Sequence, residues 1–378
     1  MKLYEYEAKD IFAKYGIPVQ RGGLAVSPAE VRKIAEELNR PVVLKAQVPV
    51  AGRGKAGGIL FADTPEEAEA KAREMFKRSI KGYKIEKILV VKRVDIAREM
   101  YLSITIDRFL RKTVIIASRI GGMEIEEIAR QYPEMISKYF IDPLIGLKDF
   151  HVRGVVASLR LDEKLRKEAS LIARKMYQVF IDYDCELVES NPLVITRDNK
   201  IIAVDARIII DDNSLFKHKE LAEKYYMRLN ENEKVAKKYG FSYVELDGDI
   251  GIIGNGAGLT MASMDIIEYF GGKAANFLDI GGGANAERVR EALLILLRND
   301  RIKAVFINIL GGITRCDEVA RGIVEAITSV NAKKPIVVRM IGTREEEGRK
   351  ILSEYGIKAF SDMNEAAKHV VNLVKEAM

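Results

Sequence analysis

Three glycines in "VPVAGRGKAGGILF", residues 48–61, stand at Gly52, Gly54 and Gly57, a literal G-x-G-x-x-G. That spacing serves phosphate binding when the backbone N–H groups of the turn face an anion. A dinucleotide fingerprint needs a strand before the glycines and a helix after them, so that the helix N-terminus receives the pyrophosphate. Here the apolar "VVLKAQV" precedes, but "GGILFAD" reads as a second strand. The glycines therefore cap a hairpin, either a clamp over a triphosphate or a flexible exposed turn. Arg53 and Lys55 put positive charge at its tip, and Lys45 sets a cation in the strand beside it. A buried Lys45 needs an anionic partner, which favours the clamp.

A second constellation lies in "LVESNPLVIT" and "IIAVDARIII". If these pair as a hairpin centred on Asp198, Asn191 falls opposite Asp205 on one face, with Cβ atoms roughly 4.5–5.5 Å apart. An amide oxygen and a carboxylate so placed suit one hard cation. Mg²⁺ typically takes one or two protein ligands together with nucleotide phosphates. Glu189 shares that face. The alternative for Asp205 is a salt bridge to a nearby Arg or Lys. The chain has no G-x-x-x-x-G-K-[ST], so ATP would be handled without a P-loop.

These residues require elements to position them. From about residue 245 the chain alternates regularly: "IGIIGN", "KAANFLDI", "IKAVFINIL", "KPIVVRMI" and "IKAFSDM" are strands, each followed by a helical stretch. Five such units predict a doubly wound parallel sheet with helices on both faces, and ligands outside the carboxyl ends of its strands. Glycine turns "GNGAG", "GGGAN" and "GGITR" fall there. A dinucleotide site at "GNGAG", with Asp279 on the ribose, is disfavoured by the missing third glycine. The first half is less regular. Strands are expected at "RPVVLKAQV", "GGILFAD", "IEKILVVKRV", "REMYLSITIDR", "RKTVIIASR", "CELVESNPLVIT" and "KIIAVDARIII", and helices at "TPEEAEAKAREMFKRSI", "IEEIARQYP" and "LDEKLRKEASLIARKMYQVFIDYD". Residues 218–240 read as charged and helical, the connection between the halves, with the boundary near Leu229–Lys237. The domains are set at 1–236 and 237–378.

The 378 residues suit two or three domains, and 48% hydrophobic content suits a sizeable core. No apolar run nears the ~20 residues of a membrane span. The opening "MKLYEYEAKDIFAKYG" reads as a charged amphipathic helix rather than a signal peptide, so a cytoplasmic protein is expected. Two cysteines form neither a disulfide framework nor a zinc cluster. The net charge of +6 is spread along the chain, without a basic arm or a nucleic-acid motif, so neither nucleic acid nor membrane is expected as a partner. Abundant charge, 31% of residues, leans toward a thermophilic source.

On these residues the first half resembles an ATP-grasp domain. The whole chain resembles the β subunits of succinyl-CoA synthetases (succinate–CoA ligases), through "LYEYEAKDIFAKYGIP", "KAQV…GRGKAGG", "DIAREMYL", "ESNPLVIT", "GNGAGL", "ANFLDIGGGA" and "NILGGITRCDEVA" in family order. The resemblance implies an N-terminal ATP-grasp domain followed by a flavodoxin-like CoA-ligase domain. It implies that Lys45, Gly52, Arg53 and Gly54 bind nucleotide phosphates, that Val91 and Val94 lie in the hinge touching the base, and that Glu99 binds the ribose. Asn191 and Asp205 would hold Mg²⁺, and Glu189 would orient a phosphohistidine. Asn255, Gly312, Ile313 and Thr314 would bind the carboxylate substrate. The hinge has Val91 where bacterial members often carry Glu, which leaves ADP against GDP open.

The implied reaction joins succinate and CoA at the expense of ATP or GTP, reversibly, in the tricarboxylic acid cycle. A phosphoryl group passes through a histidine. This chain has only His151, His218 and His369, and none follows a strand in a glycine turn. The carrier histidine and the CoA site are therefore expected from a second chain, the α subunit, in an αβ or α2β2 assembly. Alternatives are a sister ligase acting on malate or citrate, or a non-catalytic nucleotide-sensing subunit.

Overall fold

Asn230 divides the charged stretch 218–240 into two helices, Lys219–Arg228 and Glu231–Tyr239. Its side chain accepts from the Glu233 N–H at 2.8 Å, and the Glu233 carboxylate accepts from the Asn230 N–H at 2.9 Å. That reciprocal cap starts a new helix, and Gly240, at φ 66°, ends it. The second helix packs through Ala236 into a core with Phe241 and Leu293. The chain consequently divides into the units Met1–Glu223 and Lys224–Met378, earlier than the 236/237 boundary that the sequence suggests. The computed structural model describes residues 1–376 other than 40, 51, 331 and 332. Arg40, at the head of an expected strand, Ala51, in the expected glycine hairpin, and Ala377 and Met378, at the end of an expected helix, lie outside the described residues.

Among the described residues the first unit contains a two-stranded ribbon, Ser79–Ile80 with Tyr83–Lys84, and two larger antiparallel sheets. The smaller of these two has the order Gly22–Ala25, Ile88–Lys92, Val42–Ala46, Ile59–Ala62. One face, with Val42, Leu44, Ile88 and Val90, packs under the helices Pro28–Leu38 and Pro65–Phe76. Ser27 and Thr64 cap these helices, each with a proline following. Period-2 alternation sends Val43, Lys45, Ile59 and Phe61 to the other face. The glycines join Val42–Ala46 to Ile59–Ala62 as a hairpin, with Lys45 opposite Ile59.

The larger sheet has the order Ile201–Ala203, Cys185–Thr196, Ile96–Asp107, Lys112–Ser118, Ile136–Ile141, and Arg207–Ile210 also pairs with Cys185–Thr196. Helices Asp149–Ser158 and Glu163–Asp182 pack against it. Strands Gly22–Ala25 and Ile136–Ile141 and helices Pro28–Leu38 and Asp149–Ser158 come in addition to the elements expected from sequence.

In the second unit five parallel strands, Ile250–Gly254, Asn276–Asp279, Ala304–Gly311, Ile336–Gly342 and Ala359–Phe360, lie in the order 2-1-3-4-5. This is the flavodoxin-like winding. Ser242–Glu245 adds an antiparallel edge. Helices Ala257–Tyr269 and Met363–Glu376 contribute to one apolar core, and Ala286–Leu297, Cys316–Val330 and Glu345–Glu354 to another. The winding reverses between the first and third strands, beside Asn255 and Gly312. Among the described residues no helix is long and apolar enough to cross a membrane.

Candidate functional site

A cavity of about 700 Å³ in the first unit is lined by Lys45, Arg53, Glu99, Glu189, Asn191 and Asp205. Gly52, Gly54 and Val94 also line it. Val91 does not. Its side chain is 1% exposed and packs with Val43, Leu89 and Tyr6. The strand reaches the cavity only further on, through Arg93, Val94 and Asp95.

The cations are gathered by a residue that the motifs do not name. Glu5, in the first helix, Glu5–Lys14, is buried. Its Oε1 lies 2.7 Å from the Lys45 ammonium and 2.9 Å from that of Lys9. Its Oε2 lies 2.9 Å from the Arg53 guanidinium, an ion-pair contact without hydrogen-bond alignment. Burial pushes the Glu5 pKa up, but Lys45, Lys9 and Arg53 outweigh it and hold the carboxyl far below the usual range. Burial, with Lys45 beside it, brings Lys9 down to about 8. Lys45 also donates to the Val204 carbonyl at 2.5 Å. Arg53 folds back from the hairpin to the Ala46 carbonyl at 3.2 Å and to Asp205 at 3.4 Å.

Asn191 and Asp205 occupy matching positions, as the register requires. Leu193 pairs with Ala203 and Glu189 with Arg207, so the two residues fall between these rungs. The hairpin is not continuous, however. The chain leaves the ladder at residues 204–206, and the Asn191–Pro192 bond is cis. Asn191 Oδ1 accepts from the Gly122 N–H at 2.8 Å, and its Nδ2 donates to the Met123 carbonyl at 2.9 Å. An amide oxygen has two lone pairs, so one remains for a cation. The Asp205 carboxylate is ringed by protein yet 34% exposed to the cavity. Burial first, and then Glu5, raise its pKa against the pull of Lys45 and Arg53. It thus keeps both expected aspects: a salt bridge with Arg53 and an open oxygen face.

Glu189 accepts from the Tyr101 hydroxyl at 2.8 Å, and burial raises its pKa. Glu99 lines the cavity beside Gly122, and burial raises its pKa as well. Gly122 has φ 76°, and a Cβ there would run into the Glu99 carboxylate.

The second unit brings its expected residues together at the carboxyl edge of its sheet. Asn255 exchanges hydrogen bonds with the Leu310 backbone, 2.9 Å each way. Thr314 is 1% exposed, and its hydroxyl accepts from the Gly283 N–H at 2.9 Å and from the Asn255 amide at 3.1 Å. Ile313 is 87% exposed. Gly258, Gly282 and Gly312 would meet nothing within 4 Å if given a Cβ, so this edge is open ground.

Just beyond, Asp317 sits in the first turn of Cys316–Val330 between Arg315 at 2.6 Å, Arg321 at 2.8 Å and Arg344 at 3.4 Å. Hydrogen bonds from Arg315, and then Arg321, hold its carboxyl well below the usual carboxylate range despite burial. A depressed folded pKa contributes stability above the unfolded value, about 3.9, and that contribution fades as pH falls through the folded one. Asp317→Asn is expected to cost about 1–3 kcal/mol at neutral pH. The gap between the two melting curves should narrow below about pH 5. A pH-independent gap would refute the ion-pair account.

An ATP-grasp domain model matches residues 2–195, and a CoA-ligase model matches residues 253–373. The chain is 55% identical to the succinate–CoA ligase [ADP-forming] subunit beta of Pyrobaculum arsenaticum, over 99% of this chain and 100% of that one. It is 48% identical to the beta 2 subunit so named from Archaeoglobus fulgidus, over 100% of both. The chain belongs to the succinate–CoA ligase β-subunit family. The fold is also that of the ATP citrate lyase of Methanothrix soehngenii, with a TM-score of 0.74 at 20% identity over 99% of each chain.

For a member of the succinate–CoA ligase β-subunit family the histidines matter. His151 Nδ1 accepts from the Lys148 N–H, His218 faces Asp184 at 3.0 Å, and His369 packs on Phe360. None lines the cavity. Sequence reasoning missed Glu5, Gln20 and Arg207, which do. The signal for Glu5 was present: Glu5, Ala8 and Phe12 stand at i, i+3 and i+7, so the carboxylate belongs to the buried face.

Proposed function

We propose that this chain is the nucleotide-binding β subunit of an ADP-forming succinate–CoA ligase. With an α partner it carries out succinate + CoA + ATP = succinyl-CoA + ADP + phosphate in either direction, in the cytoplasm. The observation that carries the reading is one cavity holding Lys45 and Arg53 beside the oxygen pair of Asn191 and Asp205. In this reading Lys45, Arg53 and the Gly52–Gly54 turn hold the phosphates. The carbonyls of Gly52, Arg53 and Gly54 are spent backwards on Ala56, Gly57 and Gly58. A turn of that form offers its leading N–H groups to an anion. Val94 borders the base and Glu99 takes the ribose.

Asn191 and Asp205 offer two hard oxygens, the donor set Mg²⁺ accepts when phosphates complete its shell. When bound there, the ion would neutralise phosphate charge. Glu189 would receive and orient the ring N–H of the partner's phosphohistidine. Asn255, Gly312, Ile313 and Thr314 would frame the succinate, with exposed backbone as the donor. The α subunit would bring the histidine and the CoA site, in an αβ or α2β2 assembly. Co-purifying it and assaying succinate against malate and citrate, and ATP against GTP, tests the reading. Turnover by this chain alone would refute it.

Asp205→Asn probes the metal directly. The variant is expected to lose the Mg²⁺-dependent part of its ADP affinity, roughly tenfold or more, because Mg²⁺ sites rest on one or two carboxylates. Binding of metal-free ADP should not weaken, because the variant removes a negative charge beside Arg53. Calorimetry with and without Mg²⁺ reads both. A normal Mg²⁺ response would remove Asp205 from the metal.

A further inference from the structure

Arg207 follows Asp205 by two residues and stands directly opposite Glu189 in the sheet. It lines the cavity. Its Nε is buried without a hydrogen-bond partner, and its guanidinium comes only within 3.9 Å of the Glu189 carboxylate. Glu189 is already bonded to Tyr101. A guanidinium fork is built for two parallel bonds to a carboxylate or phosphate, and this one makes neither. Lys2 enters the same corner. It bridges antiparallel to Ile209, so its side chain shares the face of Arg207. It lines the cavity and donates to the Pro49 carbonyl at 3.1 Å. Burial, with Arg207 and Arg53 nearby, lowers Lys2 to about 8. This corner is short of one anion, whereas Lys45 and Arg53 already have Glu5. A buried donor left unpaired is costly, and a ligand would remove that cost.

We propose that Arg207, flanked by Lys2, binds the phosphoryl group at the point where it changes hands, leaving the inner phosphates to Lys45 and Arg53. The proposal rests on the functional reading above. In the exchange, the lone pair of a partner imidazole nitrogen forms the N–P bond as the P–O bond to ADP breaks. The ADP oxygen keeps the electron pair, and no proton is transferred. Arg207 donates to the non-bridging oxygens throughout, while Glu189 accepts from the other ring N–H. Residues directly opposite have Cβ atoms roughly 4.5–5.5 Å apart, so one transfer point can touch both side chains.

The test uses the complex with its partner subunit, as wild type, Arg207→Met and Arg207→Lys. Calorimetry reads MgADP affinity, and single-turnover labelling from radiolabelled ATP reads phosphoryl transfer. Arg207→Met is expected to keep affinity within about threefold while transfer slows about 10²–10³-fold, the usual cost of one transition-state donor. Arg207→Lys should regain part of the rate yet stay at least about tenfold below wild type, since an ammonium lacks the fork. Methylguanidinium added to Arg207→Ala should raise its rate with concentration. Wild-type transfer in Arg207→Met, or equal losses of affinity and rate, would overturn the proposal. If Arg207→Met does not fold, Arg207→Lys decides alone, and full transfer by it would overturn the proposal. Failure of the wild type to phosphorylate its partner would instead sink the functional reading.

Discussion

Replacing Lys45 by methionine is expected to abolish phosphorylation of the partner subunit by ATP and to spare its phosphorylation by succinyl-CoA and phosphate. Lys45 is held by Glu5 at 2.7 Å and Val204 at 2.5 Å, on the wall of the cavity. Loss of one fixed donor costs about 10²–10³-fold in a developing-charge reaction, and the lost phosphate binding adds to it. Glu5 keeps Lys9 and Arg53 as counterions, so methionine does not strand a lone carboxylate. In the proposed reading the succinyl half-reaction uses the second unit. Thr314→Val should show the mirror image, because its hydroxyl joins the loops of Asn255 and Gly283. Radiolabelled phosphate in both half-reactions separates the variants. Equal losses in both directions for each would mean one fused site.

Glu5→Gln is expected to lower the melting temperature without ligand and to enlarge the rise produced by MgADP. The wild-type carboxylate neutralises three buried or half-buried cations. Removing one member of such a cluster costs about 3–5 kcal/mol, since the partners stay uncompensated. Nucleotide phosphates would then supply the missing negative charge. A ligand that binds only the folded state stabilises it in proportion to the logarithm of its occupancy term, so tighter binding appears as a larger shift. An unchanged melting point in the absence of nucleotide, or an unchanged shift with it, would show that Glu5 is not the counterion.

The second unit was legible because each strand is a short apolar run ended by a glycine turn, and a strict strand–helix alternation leaves few windings. The antiparallel first unit was less so. Its strand Gly22–Ala25 is short and pairs with the distant Ile88–Lys92, and Ile136–Ile141 is half-buried without a clean apolar alternation. The Asn191–Asp205 match was readable because register is counted from the turn. The break at residues 204–206 was not, since it depends on Val204 giving its carbonyl to Lys45. Val91 carried a motif's position but not its surroundings, which Tyr6 and Val43 supply. Arg207 was invisible because the lack of a hydrogen-bond partner at its Nε is a property of space rather than of residue type.

The amide of Asn191 cannot be turned over. With its oxygen on the Gly122 N–H and its nitrogen on the Met123 carbonyl, a flip would set donor against donor and acceptor against acceptor. The oxygen offered to the cavity is therefore oriented by main chain alone, whichever side chains the loop carries. Gly122 also leaves the room that Glu99 occupies. One residue with no side chain thus serves both Asn191 and Glu99. Any side chain at this position would be strained at φ 76° and would collide with the Glu99 carboxylate, although nothing at Gly122 has to touch a ligand. Tolerance to mutation and contact with ligand part company there.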